Sequence, residues 1–94
     1  MSAAIECMVL NTLISCPVWQ EASHLTTDHF TGNRKQVFAA IRKRAIKHLP
    51  LDYAVIAEEI ENLHAIDDIA KSATARHTLD SLIEELTEAA TNRS

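Results

Sequence analysis

One glycine in ninety-four residues leaves this chain few ways to reverse direction tightly. Hairpin turns need Gly, Asn or Asp at positions of positive φ; Gly32 stands alone, and Pro17 and Pro50 are the only prolines. A β-sandwich or barrel is a poor fit to such a sequence. Although 47% of the residues are apolar, only four are Phe, Tyr or Trp, so the core must come from Leu, Ile, Val, Ala and Met, a composition that favours packed helices. A chain of this length sustains one core. The expected fold is all-α, a compact orthogonal bundle of about five to six helices in a single domain over residues 1–94.

Hydrophobic periodicity places the helices. Ser2 can cap a first helix from about Ala3 to Ser15, with Ile5, Met8, Val9, Leu13 and Cys16 at three- and four-residue steps and Leu10 and Ile14 widening the stripe. A helix apolar on most of its circumference belongs at the centre of the fold or against a second subunit. Ser15 or Cys16 followed by Pro17 reads as the cap of a short helix through Ala22, with Trp19 plugging the core. His24 to Thr31 is a turn-rich connection anchored by Leu25 and Phe30. From about Asn33 a helix carries Val37, Phe38, Ile41, Ala45 and Ile46 inward, with Arg34, Lys35, Arg42, Lys43 and Lys47 towards water, until Leu49-Pro50 stops it. Asp52 caps a helix from Tyr53 to about Asn62, whose inner stripe is Val55 or Ile56, Ile60 and Leu63. Residues 64–71 are ambiguous, with Asp67 or Asp68 able to cap a turn. The last helix starts from Ser72 or Thr74 and repeats Leu79, Leu82, Ile83, Leu86 and Ala90, with Asp80, Glu84, Glu85 and Glu88 outside; residues 91–94 are expected to fray. Two heptads are too few for a lone coiled coil, so this helix must pack on its own domain or on a partner. The core anchors are Trp19, Phe30, Phe38, Ile41, Ile56 and Ile60.

The net charge of −4 conceals two unlike halves. Residues 1–48 hold six bases and three acids, residues 49–94 three bases and ten acids, giving +3 and −7. Opposite patches of this kind steer association and fix register. The candidate docking residues are therefore Arg34, Arg42, Lys43 and Lys47 on the basic side and Glu84, Glu85 and Glu88 on the acidic side. Because the first and last helices are more apolar than one buried face requires, self-association as a dimer is expected too.

No catalytic, cofactor or metal residues emerge. A phosphate loop of the form G-x-x-x-x-G-K-S/T is impossible with one glycine. Cys7 and Cys16 lack C-x-x-C spacing and read as buried free thiols, and the five histidines are scattered without ligand partners at helical spacing. Asp28-His29 beside Thr27 reads as a capping turn, and Glu58-Glu59 and Glu84-Glu85 as solvated helix faces, because adjacent helical residues point about 100° apart. No secretory pattern precedes the first apolar run, and no stretch approaches the ~20 residues that span a bilayer, so a soluble, cytoplasmic protein is expected.

In their order, the blocks Ala4-Ile5-Glu6-Cys7-Met8-Val9-Leu10-Asn11-Thr12-Leu13-Ile14, Leu25-Thr26-Thr27-Asp28-His29-Phe30, Arg34-Lys35-Gln36-Val37-Phe38-Ala39-Ala40-Ile41 and Pro50-Leu51-Asp52-Tyr53-Ala54-Val55-Ile56-Ala57-Glu58-Glu59-Ile60 resemble the N-terminal domain of DnaB-type replicative DNA helicases. They answer that family's A-E-x-x-V-L-G-x-L, L-x-x-x-D-F, H-x-x-I-F-x-A-I and P-I-D-x-x-x-L-x-x-x-L. The match spans roughly Ala4 to Leu63; Asn11 stands where the family often has Gly, and residues near Ala70-Lys71 where it has Gly-Gly. Beyond Leu63, where the family forms a long helical hairpin, the correspondence is loose.

The resemblance implies a non-catalytic module of the replication machinery that pairs with itself and offers a surface to primase, the replicative helicase or a helicase loader. The chain is then either part of a helicase or a free-standing relative, plausibly from a phage or prophage. The rival readings are the helicase-binding domain of a primase, a phage-encoded modulator of the host helicase, and, from other classes, a small DNA-binding regulator using the basic helix 34–47 or a small enzyme. Direct DNA contact is the weaker reading, since the run Arg42-Lys43-Arg44 lacks aromatic interleaving and a clear helix-turn-helix partner.

Overall fold

The computed structural model describes residues 2–93, and the side chains of Ser2, Leu63 and Arg93 fall outside that description, as do the expected Ser2 cap and Leu63 core position. Every described element is helical: α1 (Ser2–Ser15), α2 (Trp19–Ala22), α3 (Arg34–Ile46), α4 (Tyr53–Ile60), α5 (Leu63–Ala70) and α6 (Leu79–Arg93), with 3-10 turns at Thr27–His29 and Arg76–Thr78. No helix among the described residues is long and apolar enough to cross a membrane.

The most apolar helix takes the centre. α1 packs against α3, α5 and α6, and an unbroken run from Cys7 through Ile14, Met8 alone excepted, is buried. Being enclosed on most sides, it uses most of its circumference for core contacts, leaving a face at Ala4, Met8 and Ser15 towards water. Val9, Leu10 and Leu13 meet Phe30, Val37, Phe38, Ile41, Ile56, Ile69, Leu79 and Leu86 in one continuous cluster. Phe30 and Phe38 stack at its middle with ring centroids 4.7 Å apart. α6 contributes Leu79, Ile83 and Leu86 to the same cluster. The stripes on α1 and α6 that motivated a dimer are thus mostly buried inside one chain, with Ile5, Met8, Cys16, Leu82 and Ala90 half-buried.

Local chemistry explains most of the boundaries. Asp52 caps α4 as expected, its Oδ1 accepting the Val55 N–H at 2.8 Å. α4 ends earlier than the sequence suggests, at Ile60, because Glu61 turns left-handed (φ 55°). Asn62 then begins a new helix instead of closing the old one, its Oδ1 accepting the Ala65 N–H at 3.3 Å, and the ambiguous segment becomes α5. α3 ends in a Schellman turn, with the Leu49 N–H on the Arg44 carbonyl (2.8 Å) and the His48 N–H on that of Ala45 (3.1 Å). His48 holds the left-handed position (φ 58°) that glycine usually fills. The helix therefore stops three residues before Leu49. Ile46, expected inside, is 60% exposed, because it falls four residues after Arg42 on the outer face and out of register with Val37, Phe38 and Ile41.

Three further expectations are corrected. The short second helix starts at Trp19 with no side-chain cap, so Pro17 lies in the bend before it and not at its first position. α6 starts at Leu79, after the 3-10 turn, and not at Ser72 or Thr74; it then continues through Arg93, where fraying was expected from residue 91. The segment after Leu63 folds back, α5 onto α1 and α4 and α6 onto α1 and the Thr27–His29 turn.

Replacing Asp52 with Ala should destabilise the fold by about 1 kcal/mol through loss of the cap. Asp67→Ala, at an exposed position of α5, should change stability by no more than about 0.5 kcal/mol. Urea unfolding monitored by circular dichroism distinguishes the two.

Candidate docking faces

Three polar side chains of α1 are buried among its apolar ones, Glu6, Asn11 and Thr12, and each is partnered. Glu6, fully buried, accepts the Thr31 backbone N–H at 2.6 Å, the Thr31 hydroxyl at 3.0 Å and the Arg34 Nε at 3.0 Å. Arg34 also donates an NH2 group to the Thr31 hydroxyl at 2.9 Å. Asn11 donates to the Ser72 carbonyl at 2.7 Å, while its Oδ1 accepts the Tyr53 hydroxyl. The Thr12 hydroxyl donates back to the Met8 carbonyl at 2.7 Å and accepts the Ala75 N–H at 2.8 Å. No buried side-chain nitrogen or oxygen among the described residues lacks a partner.

This network removes one residue from the basic docking set. Arg34 was expected to face water, but its guanidinium turns inward to neutralise Glu6, leaving the side chain only 26% exposed. A fully buried carboxylate demands such a partner. The rest of the basic run divides. Arg44 donates to the Pro50 carbonyl at 2.8 Å and lies 3.9 Å from Glu59, and Lys43 lies 3.8 Å from the same carboxylate. These pairs brace α3 against α4, which is an internal use for charges assigned to docking. Exposed pairs of this kind contribute about 0–1 kcal/mol each. Lys43 keeps a side chain 58% exposed, and Arg42 and Lys47 are exposed beside it.

On the acidic side the structure brings more together than the helix pattern indicated. Glu84 and Glu88 line an open groove of about 530 Å³ with Asp80, Ile83 and Thr87 of α6, and Glu21 and His24 complete it from the chain around α2. Glu85 is exposed on the same helix but does not line the groove. Glu21 was missed because it is about sixty residues away in sequence, and only the packing of α6 makes the two segments neighbours.

A second groove, of about 330 Å³, runs beside the end of α3 between Pro17, Trp19, Gln20, Ala45, His48, Leu49 and Leu51. Trp19 is a wall of this groove as much as a core plug: it is half-buried, with its ring centroid 5.8 Å from that of Phe38. Phe30, Phe38, Ile41 and Ile56 are fully buried and Ile60 is half-buried. Ile46 and Leu49 are the large apolar residues left exposed among those described.

One small cavity of about 110 Å³ collects groups with chemical potential, Cys7, Asn33, Arg34, His64 and Asp68 with Ala65. Burial pushes the Cys7 thiol above its ordinary value, outweighing the Arg34 charge and a Ser72 hydrogen bond that act the other way. The sulfur is thus held as a protonated thiol and is a poor nucleophile at neutral pH. Cys7 and Cys16 are both free, Cys16 only half-buried. No cluster of three His, Cys, Asp or Glu among the described residues is placed to hold a metal ion. His29 serves the capping turn, its Nδ1 accepting the Thr26 N–H at 3.1 Å.

Compared with protein-family models, with curated proteins and with solved structures, the chain finds no significant match.

Arg34→Met should destabilise the protein by roughly 3 kcal/mol, near the low end for a broken buried pair because the arginine side is partly open to water. Lys43→Ala should stay within about 0.5 kcal/mol of wild type. Equal unfolding midpoints for the two variants in urea would contradict the division of the basic residues into structural and free.

Proposed function

We propose that this chain is a non-catalytic protein-interaction module of the DNA replication machinery, akin to the head of the DnaB-type helicase N-terminal domain, which docks primase, the replicative helicase or a helicase loader. The docking half of this reading rests on one observation: an open groove walled by Trp19, Leu49 and Leu51 adjoins a helix end where Ile46 and Leu49 stay in water. Apolar residues grouped at one site and edged by charge mark interaction surfaces more often than isolated ones do. The replication half rests on the ordered sequence blocks. What supports it is that Val9, Leu10, Leu13, Leu25, Phe30, Val37, Phe38, Ile41 and Ile56, drawn from all four blocks, pack as one core, so the blocks make sense as a single packing pattern.

The family's glycine position is occupied here by Asn11, which holds Tyr53 and Ser72. That departure has a structural use. The reading as a DNA-binding regulator loses ground for a physical reason, since Lys43 and Arg44 already face Glu59, which lowers the positive potential that phosphates would meet.

The immobilised 94-residue chain should retain primase or the helicase collar with a Kd of about 1–10 µM, and Leu49→Asp should abolish retention while leaving the circular dichroism spectrum unchanged. Retention of primase favours the helicase-head form of the proposal; retention of the collar favours a primase-type domain or a helicase modulator. Duplex binding that falls steeply with salt, with neither protein retained, would overturn the proposal in favour of the DNA regulator.

A further inference from the structure

The exposed end of α3 and the acidic groove on α6 are complementary. Ile46, 60% exposed, shares the outer face of the last turns of α3 with Arg42 four residues before it and Lys43 three before, and the exposed Lys47 follows at the helix end. The groove inverts this pattern. Ile83 and Thr87 line its apolar part, and Asp80, Glu84 and Glu88, at successive four-residue steps, stand with Glu21 around it. Its volume of about 530 Å³ accommodates a branched aliphatic side chain flanked by basic ones.

We propose that the groove of one copy receives the Ile46 end of α3 from a second copy, a head-to-tail contact between two different patches that every copy carries. The inference rests on the interaction-module reading above and names a surface and an occupant for it. The charge division of the chain, +3 in the first half and −7 in the second, gives the contact its polarity: like ends repel and unlike ends attract. The contact leaves α1 unused and takes from the α6 stripe only the edge of Ile83 that reaches the groove. Lys43 takes part despite lying 3.8 Å from Glu59, because most of its side chain remains in solvent and can approach a second carboxylate. Since such a contact joins unlike patches, it either closes as a reciprocal pair or extends.

Sedimentation velocity of the full chain up to on the order of 500 µM tests this. Wild type should associate in about 50 mM salt and at least about tenfold more weakly in about 500 mM salt, where screening shortens the reach of the charges. Ile46→Asp should be monomeric. Ile46→Ala, which keeps the helix favourable, should also weaken association, so the outcome does not depend on whether the aspartate variant folds. Glu84→Lys/Glu88→Lys and Arg42→Glu/Lys47→Glu should each be monomeric alone and should associate when mixed, because the two swaps restore complementarity in both directions. A wild type that is monomeric throughout, variants that associate like wild type, or a mixture that stays monomeric would each overturn the contact. Retention of primase or the helicase collar is read separately, so a monomer that still binds either overturns the self-contact and leaves the module reading standing.

Discussion

Each of the three polar side chains inside α1 holds a different part of the chain in place. Glu6 fixes Thr31 ahead of α3 and Arg34 at its first residue, Asn11 fixes Ser72 after α5 and Tyr53 at the start of α4, and Thr12 fixes Ala75 ahead of α6. Hydrophobic burial is non-directional and would let the surrounding helices slide and rotate about an aliphatic rod. Hydrogen bonds to polar groups with no access to water are directional and expensive to leave unmade. Together they set where each helix begins relative to α1, and so which residues are left on the surface.

The surface consequence is a sorting of charges. Because Arg34 is taken by Glu6, and Arg44 by Pro50 and Glu59, the free positive charge collects at the outer end of α3 around Ile46. Because α6 lies along α1 and the Thr27–His29 turn, its outer carboxylates come beside Glu21. The two faces are products of internal packing, and the apolar grooves lie where that packing leaves off.

The helices themselves were legible in the sequence. Period, caps and stops place α1, α3, α4 and the body of α6, and Asp52 performs the capping that its position before Tyr53 announces. What escaped depended on distant partners or on unusual backbone. Arg34 stands three, four and seven residues before Val37, Phe38 and Ile41, on the inward stripe, whereas Lys35 does not, and Glu6 stranded in an apolar helix was a signal that some cation must come to it; the pairing itself needed the tertiary fold. Ile46 is exposed because helical spacing puts it four residues after Arg42, on the outer face of α3, out of register with Val37, Phe38 and Ile41; the left-handed His48 that closes the helix is the feature no local pattern marks. Asn62 can end one helix or begin another, and the left-handed Glu61 decides the matter. The exposure of Arg42, Lys43, Lys47, Glu84, Glu85 and Glu88 follows from the helix pattern, whereas the grooves beside them required the tertiary fold.

The account stands or falls on α1 side chains holding distant connections, and native-state hydrogen exchange reads this at two amides. Thr31 and Ala75 lie outside the regular helices, yet their N–H groups point at Glu6 and Thr12. They should exchange only through global unfolding, with the same free energy as the amides of Leu10 and Leu13 in α1. Exchange of Thr31 and Ala75 at the rates of exposed loop amides would contradict it.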